Sequence, residues 1–107
     1  MRYSRFDHFK SELDTTNYKN KIQMYTLFIK IHSSFRRIFH PSNNFFQYRY
    51  LINKIAELLN IDTQFPYFKS KLKLEYYDNR WKKICDDNGF PFIKSKYKNI
   101  YNTRSRI

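Results

Sequence analysis

Apolar side chains recur along three stretches of this chain at spacings of three and four residues, and that repeat leaves room for little besides helices. Met24, Phe28, Ile31, Phe35 and Ile38 follow spacings of 4, 3, 4 and 3, one face of a helix, with Lys30, Ser33 and Arg37 on a polar face. Tyr48, Ile52, Ile55 and Leu59 repeat the pattern at 4, 3 and 4, widened by Leu51 and Leu58. Leu74, Tyr77, Trp81 and Ile84 do so again at 3, 4 and 3, with Cys85 beside the last.

Punctuation agrees with the periodicity. The first helix is expected over Asn17 to Phe39, stopped by His40-Pro41 because a residue before proline is pushed out of the helical region. Ser42, Asn43 and Asn44 are candidate caps for the second, and Asn60 is its left-handed terminator. The third starts after Ser70 and stops at Asn88-Gly89. Between them "IDTQFPYFK" is a connector whose Phe65 and Phe68 are expected to plug the core, and "FPFI" after Gly89 is expected to fold back as an extended cover.

The expected fold is therefore all-α: a compact bundle of three main helices within 17–93, in one domain. An N-terminal arm or short helix over 1–16 precedes it, and an extended, basic, mobile tail over 94–107 follows.

Charge narrows the function. Twenty-one Lys and Arg stand against nine Asp and Glu, a formal net charge of +12, which favours a polyanionic partner. No acid occurs from Thr15 through Ala56 or after Asp87. Phe, Tyr, Ile, Asn and Lys make up 55 of the 107 residues and Val is absent. That AT-rich codon bias discounts lysine as a signal and leaves the eight arginines as the stronger one. A single cysteine excludes an internal disulfide and suggests a reducing, intracellular setting. The longest strictly apolar run is three residues, as in Leu27-Phe28-Ile29, where a membrane span needs about 20. The first ten residues lack the apolar core of a secretion signal.

The stretch "WKKICDD", residues 81 to 87, holds the only tryptophan and the only cysteine, and so invites a catalytic or metal-binding reading. Trp81 falls on the stripe of Leu74, Tyr77 and Ile84, however, which makes it core, and Cys85 beside it is most simply a small buried apolar residue. His8, His32, His40 and Cys85 offer no CxxC or HxxxH spacing, so no metal site is expected. Asp86 and Asp87 are adjacent on a helix and do not face one another, a poor carboxylate pair. One glycine leaves no phosphate-cradling loop. An enzyme is not expected.

One residue round from the core stripe, Lys73, Tyr76, Arg80 and Lys83 repeat at 3, 4 and 3. This basic face with an aromatic could reach phosphates while Tyr76 packs on a sugar or base. Its bland reading is a solvated surface. Arg36, Arg37, Lys94, Lys96 and Lys98 are the remaining candidate contacts. The opposite edge, Lys71, Glu75, Asp78 and Lys82, alternates in sign and suits ion pairs within the helix.

The segments "FQYRYLINKIAELLNID" and "FPYFKSKLKLEYYDNRWKKICDDNGFPFI" resemble the C-terminal region of the viral late transcription factor 3 family of poxviruses and other nucleocytoplasmic large DNA viruses. The resemblance is carried by Lys54, Glu57, Leu58 and Leu59, by Phe65, Pro66, Lys69, Ser70 and Leu72, by Asp78 with Trp81 through Cys85, and by Phe92 and Ile93. Asn60 departs from the family's glycine, and the family's zinc-binding cysteine-rich segment has no counterpart in this sequence. The resemblance implies a non-catalytic accessory factor for late-gene transcription, binding nucleic acid (DNA foremost), the viral transcription machinery, or both. It implies no catalytic residue, no cofactor and no membrane. Its setting would be the infected host cell, at the viral factory or nucleus, with virion packaging a further expectation. The alternative is a protein–protein adaptor with no nucleic-acid contact.

Overall fold

The segment "SRFDHFKSEL" opens with a serine and places an aspartate three residues later. In the computed structural model of the chain these two residues close a helix start. Ser4 Oγ accepts from the Asp7 N–H at 3.1 Å, and an Asp7 carboxylate oxygen accepts from the Ser4 N–H at 3.3 Å. This reciprocal box satisfies donors that no helical carbonyl can reach. The structure describes residues 4–42, 44–63 and 70–96. Four helices run through them: α1 (Arg5–Leu13), α2 (Lys21–Phe39), α3 (Tyr48–Leu58) and α4 (Lys71–Asn88). Among the described residues there is no strand, so the protein is all-helical.

The count of four differs from the three main helices expected. The segment expected as an arm or short helix is a helix that buries Phe9 and Leu13 completely. Phe9 stacks on Phe28 of α2 with ring centres 4.4 Å apart. Phe6 packs beside them, its ring centre 5.6 Å from that of Tyr25, so the short period Phe6, Phe9, Leu13 and the capping box were the available clues.

Helix α2 is central and packs against each of the other three, while α1 also packs on α3. It begins at Lys21, four residues later than expected. The Thr16 hydroxyl donates to the Leu13 carbonyl at 2.7 Å and accepts from the Tyr18 N–H at 3.4 Å, a local alternative to helical bonding. Tyr18 thereby enters the core from a non-helical link. Met24, Phe28, Ile31 and Phe35 are buried, but Ile38 is 36% exposed. At that end it is Phe39 that turns beneath α4, its ring 4.9 Å from Phe35.

Helix α3 starts at Tyr48, and its N-cap is Gln47 with no side-chain cap bond. The expected caps therefore do not act: Ser42 Oγ accepts from the Asn44 N–H instead, and Asn43 lies outside the described residues. The displaced start lets the non-helical pair Phe45 and Phe46 reach inward. Phe46 is 2% exposed, and its ring lies within 5.5–6.1 Å of those of Phe35, Phe45, Tyr50, Tyr77 and Trp81. One side chain thus joins α2, α3 and α4. Ile52 and Ile55 are buried and Leu59 is half-buried at the C-cap.

Both later helices end on a left-handed residue. Asn60 has φ 59, its N–H reaching the Glu57 carbonyl while the Ile61 N–H reaches Ala56 at 2.9 Å. Gly89 has φ 72, and the Phe90 N–H reaches Cys85 at 2.9 Å. These bonds satisfy carbonyls that the helix leaves without partners. Helix α4 is capped by Ser70, whose Oγ accepts from the Lys73 N–H at 3.1 Å, and it buries Leu74, Tyr77, Trp81, Ile84 and Cys85. Phe90 and Phe92 then pack back on the core. The connector residues Phe65 and Phe68 lie outside the described residues, as do 97–107 of the expected tail.

Truncating a fully buried phenylalanine costs about 3–5 kcal/mol through lost burial and the cavity left behind. Phe9→Ala should lose that much in urea unfolding if α1 belongs to the core. A loss below about 1 kcal/mol, the size of a surface change, would make α1 peripheral.

Candidate nucleic-acid interface

The periodic face of α4 comes to the surface, but its four members differ in what they do. Lys73 and Lys83 are exposed and Tyr76 is 42% exposed. Arg80 is half-buried: its guanidinium lies 4.6 Å from the Phe39 ring centre, 5.0 Å from Tyr76 and 5.7 Å from Phe35. It also donates towards the Asn44 carbonyl at 3.4 Å. Stacking of this kind holds a planar cation in place, so Arg80 is an anchor that ties α4 to the end of α2. Lys83 Nζ sits 5.9 Å from Phe39. The result is a ridge in which Tyr76 and the edge of Phe39 lie beside a stacked arginine, with a lysine towards each end.

The two arginines of α2 part company. Arg37 pairs with Asp87, which also accepts from Ser34 Oγ at 2.6 Å. The Ser34 hydrogen bond, ahead of the Arg37 contacts, holds the Asp87 carboxyl below its ordinary range. Arg36 is exposed and lines a separate cleft with Arg5 and His32. Of the C-terminal lysines, Lys94 and Lys96 are exposed, and Lys98 lies outside the described residues.

Charge alternation on the other edge of α4 does not work as expected, because Asp78 is buried. It accepts from the Tyr50 hydroxyl at 2.7 Å, from the Ser95 N–H at 2.8 Å and from the Ser95 hydroxyl at 2.7 Å. Lys54, 2% exposed, lies 3.9 Å from Asp78 and 3.2 Å from Glu57, and donates to the Ile93 carbonyl at 2.7 Å. Buried charges persist only when paired in this way. Burial first, then the bond to Asp78, pushes the Tyr50 phenol far above its ordinary value. These contacts pin 93–95 onto α3 and α4, so the first residues of the segment expected as a mobile tail are tethered. A readable signal was missed here. Lys54 sits between Leu51 and Leu58, and Asp78 between Leu74 and Trp81, at spacings of 3 or 4 inside apolar stripes.

The "WKKICDD" stretch is core on one side and surface on the other. Trp81 is 1% exposed and Cys85 fully buried, and burial pushes the Cys85 thiol up to about 12. A thiol so far from ionising is a weak nucleophile. Among the described residues no cluster of His, Cys, Asp and Glu is placed to hold a metal ion. No described helix is long and apolar enough to cross a membrane.

Most of the residues building this framework, from the second half of α1 to just before the tethered segment, match a known family. Residues 10–92 fit the model described as "Poxvirus Late Transcription Factor VLTF3 like". The chain belongs to that family. Its relatives in large DNA viruses include "Putative transcription factor R429" of Acanthamoeba polyphaga mimivirus, 38% identical over 81 residues. Another is "Putative transcription factor A494R" of Paramecium bursaria Chlorella virus 1, 38% identical over 71 residues. The matches cover 71% and 63% of this chain but 19% and 20% of those relatives, so the chain spans about a fifth of their length. No solved structure matches. Family membership supports a transcription-related role.

Two measurements check the site chemistry. Cys85 should resist a thiol reagent at pH 8 in the native protein and react promptly in denaturant; fast native labelling would contradict its burial. Because the Asp87 carboxyl is held below its ordinary value of about 3.9, its stabilising contribution is present above that pH and lost as pH falls through its lowered value. Asp87→Asn should therefore show a shallower acid limb in stability against pH than the wild type. An unchanged limb would dismiss the Ser34–Asp87–Arg37 contact as a stabilising one.

Proposed function

We propose that this domain is a non-catalytic accessory factor for viral late-gene transcription in the infected host cell, binding DNA through phosphate contacts made by the α4 ridge. The observation that carries the reading is the disposal of opposite charges. Five of the nine acids, Glu12, Asp14, Glu57, Asp78 and Asp87, are in ion pairs, and Asp7 serves a helix cap. Lys73, Lys82, Lys83, Lys94 and Lys96 remain exposed. A surface of this kind attracts a polyanion by counterion release and has no means of reading base sequence by itself. Tyr76 is the group suited to stack on a base or sugar.

Arg80 belongs to this surface but is the wrong residue with which to test it, since reversing its charge would also break the stack on Phe39 and loosen α2 from α4. Lys73 and Lys83 are better, being exposed. The Lys73→Glu, Lys83→Glu double variant should keep the wild-type helical circular dichroism. In fluorescence anisotropy with a labelled duplex, it should bind weaker and show a log K against log salt slope about 2 units shallower, roughly one per lost phosphate contact. Unchanged affinity and slope would remove α4 from the interface.

A specific observation favours a second reading, a protein–protein adaptor. Ile22 and Ile29, two turns apart on α2, are 78% and 58% exposed, and Leu72 on α4 is 79% exposed. Negligible duplex affinity at low salt, together with partner capture that survives nuclease and is lost in Ile22→Asp, Ile29→Asp, would decide for the adaptor.

A further inference from the structure

A cleft beside the last turns of α2 gathers basic groups from two helices. His32, Arg36 and His40 stand four residues apart, one stripe along the last two turns of α2 and its C-cap. Arg5 arrives from the first turn of α1, and Ser42 closes the end. Together with Pro41 these residues line a cavity of about 380 Å³ with no carboxylate in its wall. We propose that this cleft binds a phosphate group.

The chemistry of the lining selects that ligand. Arg5 is held in place, its guanidinium 4.8 Å from the Phe45 ring centre and 5.7 Å from that of Phe35. Its Nη1 lies 3.4 Å from His32 Nε2. Two guanidinium groups and two imidazoles line one cleft, and N–H donors in that number suit a phosphate's several oxygens. Ser42 Oγ accepts from the Asn44 N–H, which leaves its own hydroxyl proton to donate. Burial first, then Arg5 and Arg36, lowers the His32 pKa. Cations near the C-terminal turn of α2 do offset its dipole, which accounts for Arg36. Arg5, brought across from another helix, is left unexplained by that effect.

The inference goes beyond the α4 reading and stands whether or not that ridge binds DNA. The ligand chemistry has two sources, the phosphate of a free ion or nucleotide and the phosphate of a nucleic acid, and the test separates them. The probe is inorganic phosphate, titrated into the full chain at constant ionic strength while the imidazole resonances are followed by NMR. His8, which lies outside the cleft and stacks on Tyr48, is the internal control. Saturable shifts of His32 and His40, with His8 still, are expected. Arg36→Gln should weaken the fitted Kd by about tenfold or more, as loss of a charge-assisted hydrogen bond does. The Lys73→Glu, Lys83→Glu variant should bind phosphate within about twofold of the wild type, since those residues lie elsewhere.

Displacement of phosphate by a 5′-phosphorylated and an unphosphorylated oligonucleotide alike would identify a backbone phosphate as the source. Displacement by the phosphorylated one alone would identify a terminal phosphate, and by neither, a free ion or nucleotide. Shifts that never saturate, that His8 shares, or that Arg36→Gln leaves unchanged would overturn the site. Failure here with an intact duplex salt slope would leave the α4 reading standing, and the reverse outcome would leave the cleft.

Discussion

The burial of Phe46 is the contact on which the arrangement of the later helices depends. It stands outside any helix, in the short extended link before α3, and its ring meets aromatic side chains of α2, α3 and α4 at once. Aromatic pairs of this kind contribute about 0.5–1.5 kcal/mol each beyond the area they bury, and five meet at this ring. The link stays outside the helix up to the extended N-cap Gln47, and α3 begins at Tyr48. With α2 and α4 held in that register, Phe39 comes to lie under Arg80, and the stacked arginine follows from the packing of the core.

Electrostatics has a similar order. Among the described residues, Lys54 with Asp78 and Glu57 forms a largely buried charged cluster, closed by Tyr50 and by the returning segment through Ser95 and Ile93. Removing one member of such a buried pair costs about 3–5 kcal/mol, because the other charge is left stranded. The cluster therefore locks the 93–95 segment to the helices and uses up two acids in doing so. Glu12, Asp14 and Asp87 are paired nearer the surface, while Asp62, Glu75 and Asp86 are exposed among the lysines.

Much of this was legible in the sequence, and the exceptions share physical causes. The stripes of α2, α3 and α4 could be read because a helix repeats its buried face every three or four residues, and Ser70, Asn60 and Gly89 marked ends through their own backbone chemistry. Tyr18, Phe45 and Phe46 were not legible as core because they bury from non-helical links, where no period announces them. Asp78 was read as one of a sign-alternating helix edge, and Lys54 only as a carrier of the family resemblance, although both positions fell inside apolar stripes. Arg80 had the right address for a surface contact, but its stack depends on Phe39, which only the packing of two helices brings near. The His32, Arg36 and His40 spacing was present on one helix; that Arg5 joins them is a tertiary fact.

On the function proposed above, nucleic acid meets the basic end of the bundle and leaves the apolar outer face of α2 alone. Backbone amide NMR of the full chain, titrated with an unlabelled duplex at low salt, tests it most directly. Shifts confined to α4 around Lys73, Tyr76 and Lys83, and to the last turns of α2 around Arg36 and His40, are predicted. Shifts centred on Ile22 and Ile29, or none at all, would contradict it.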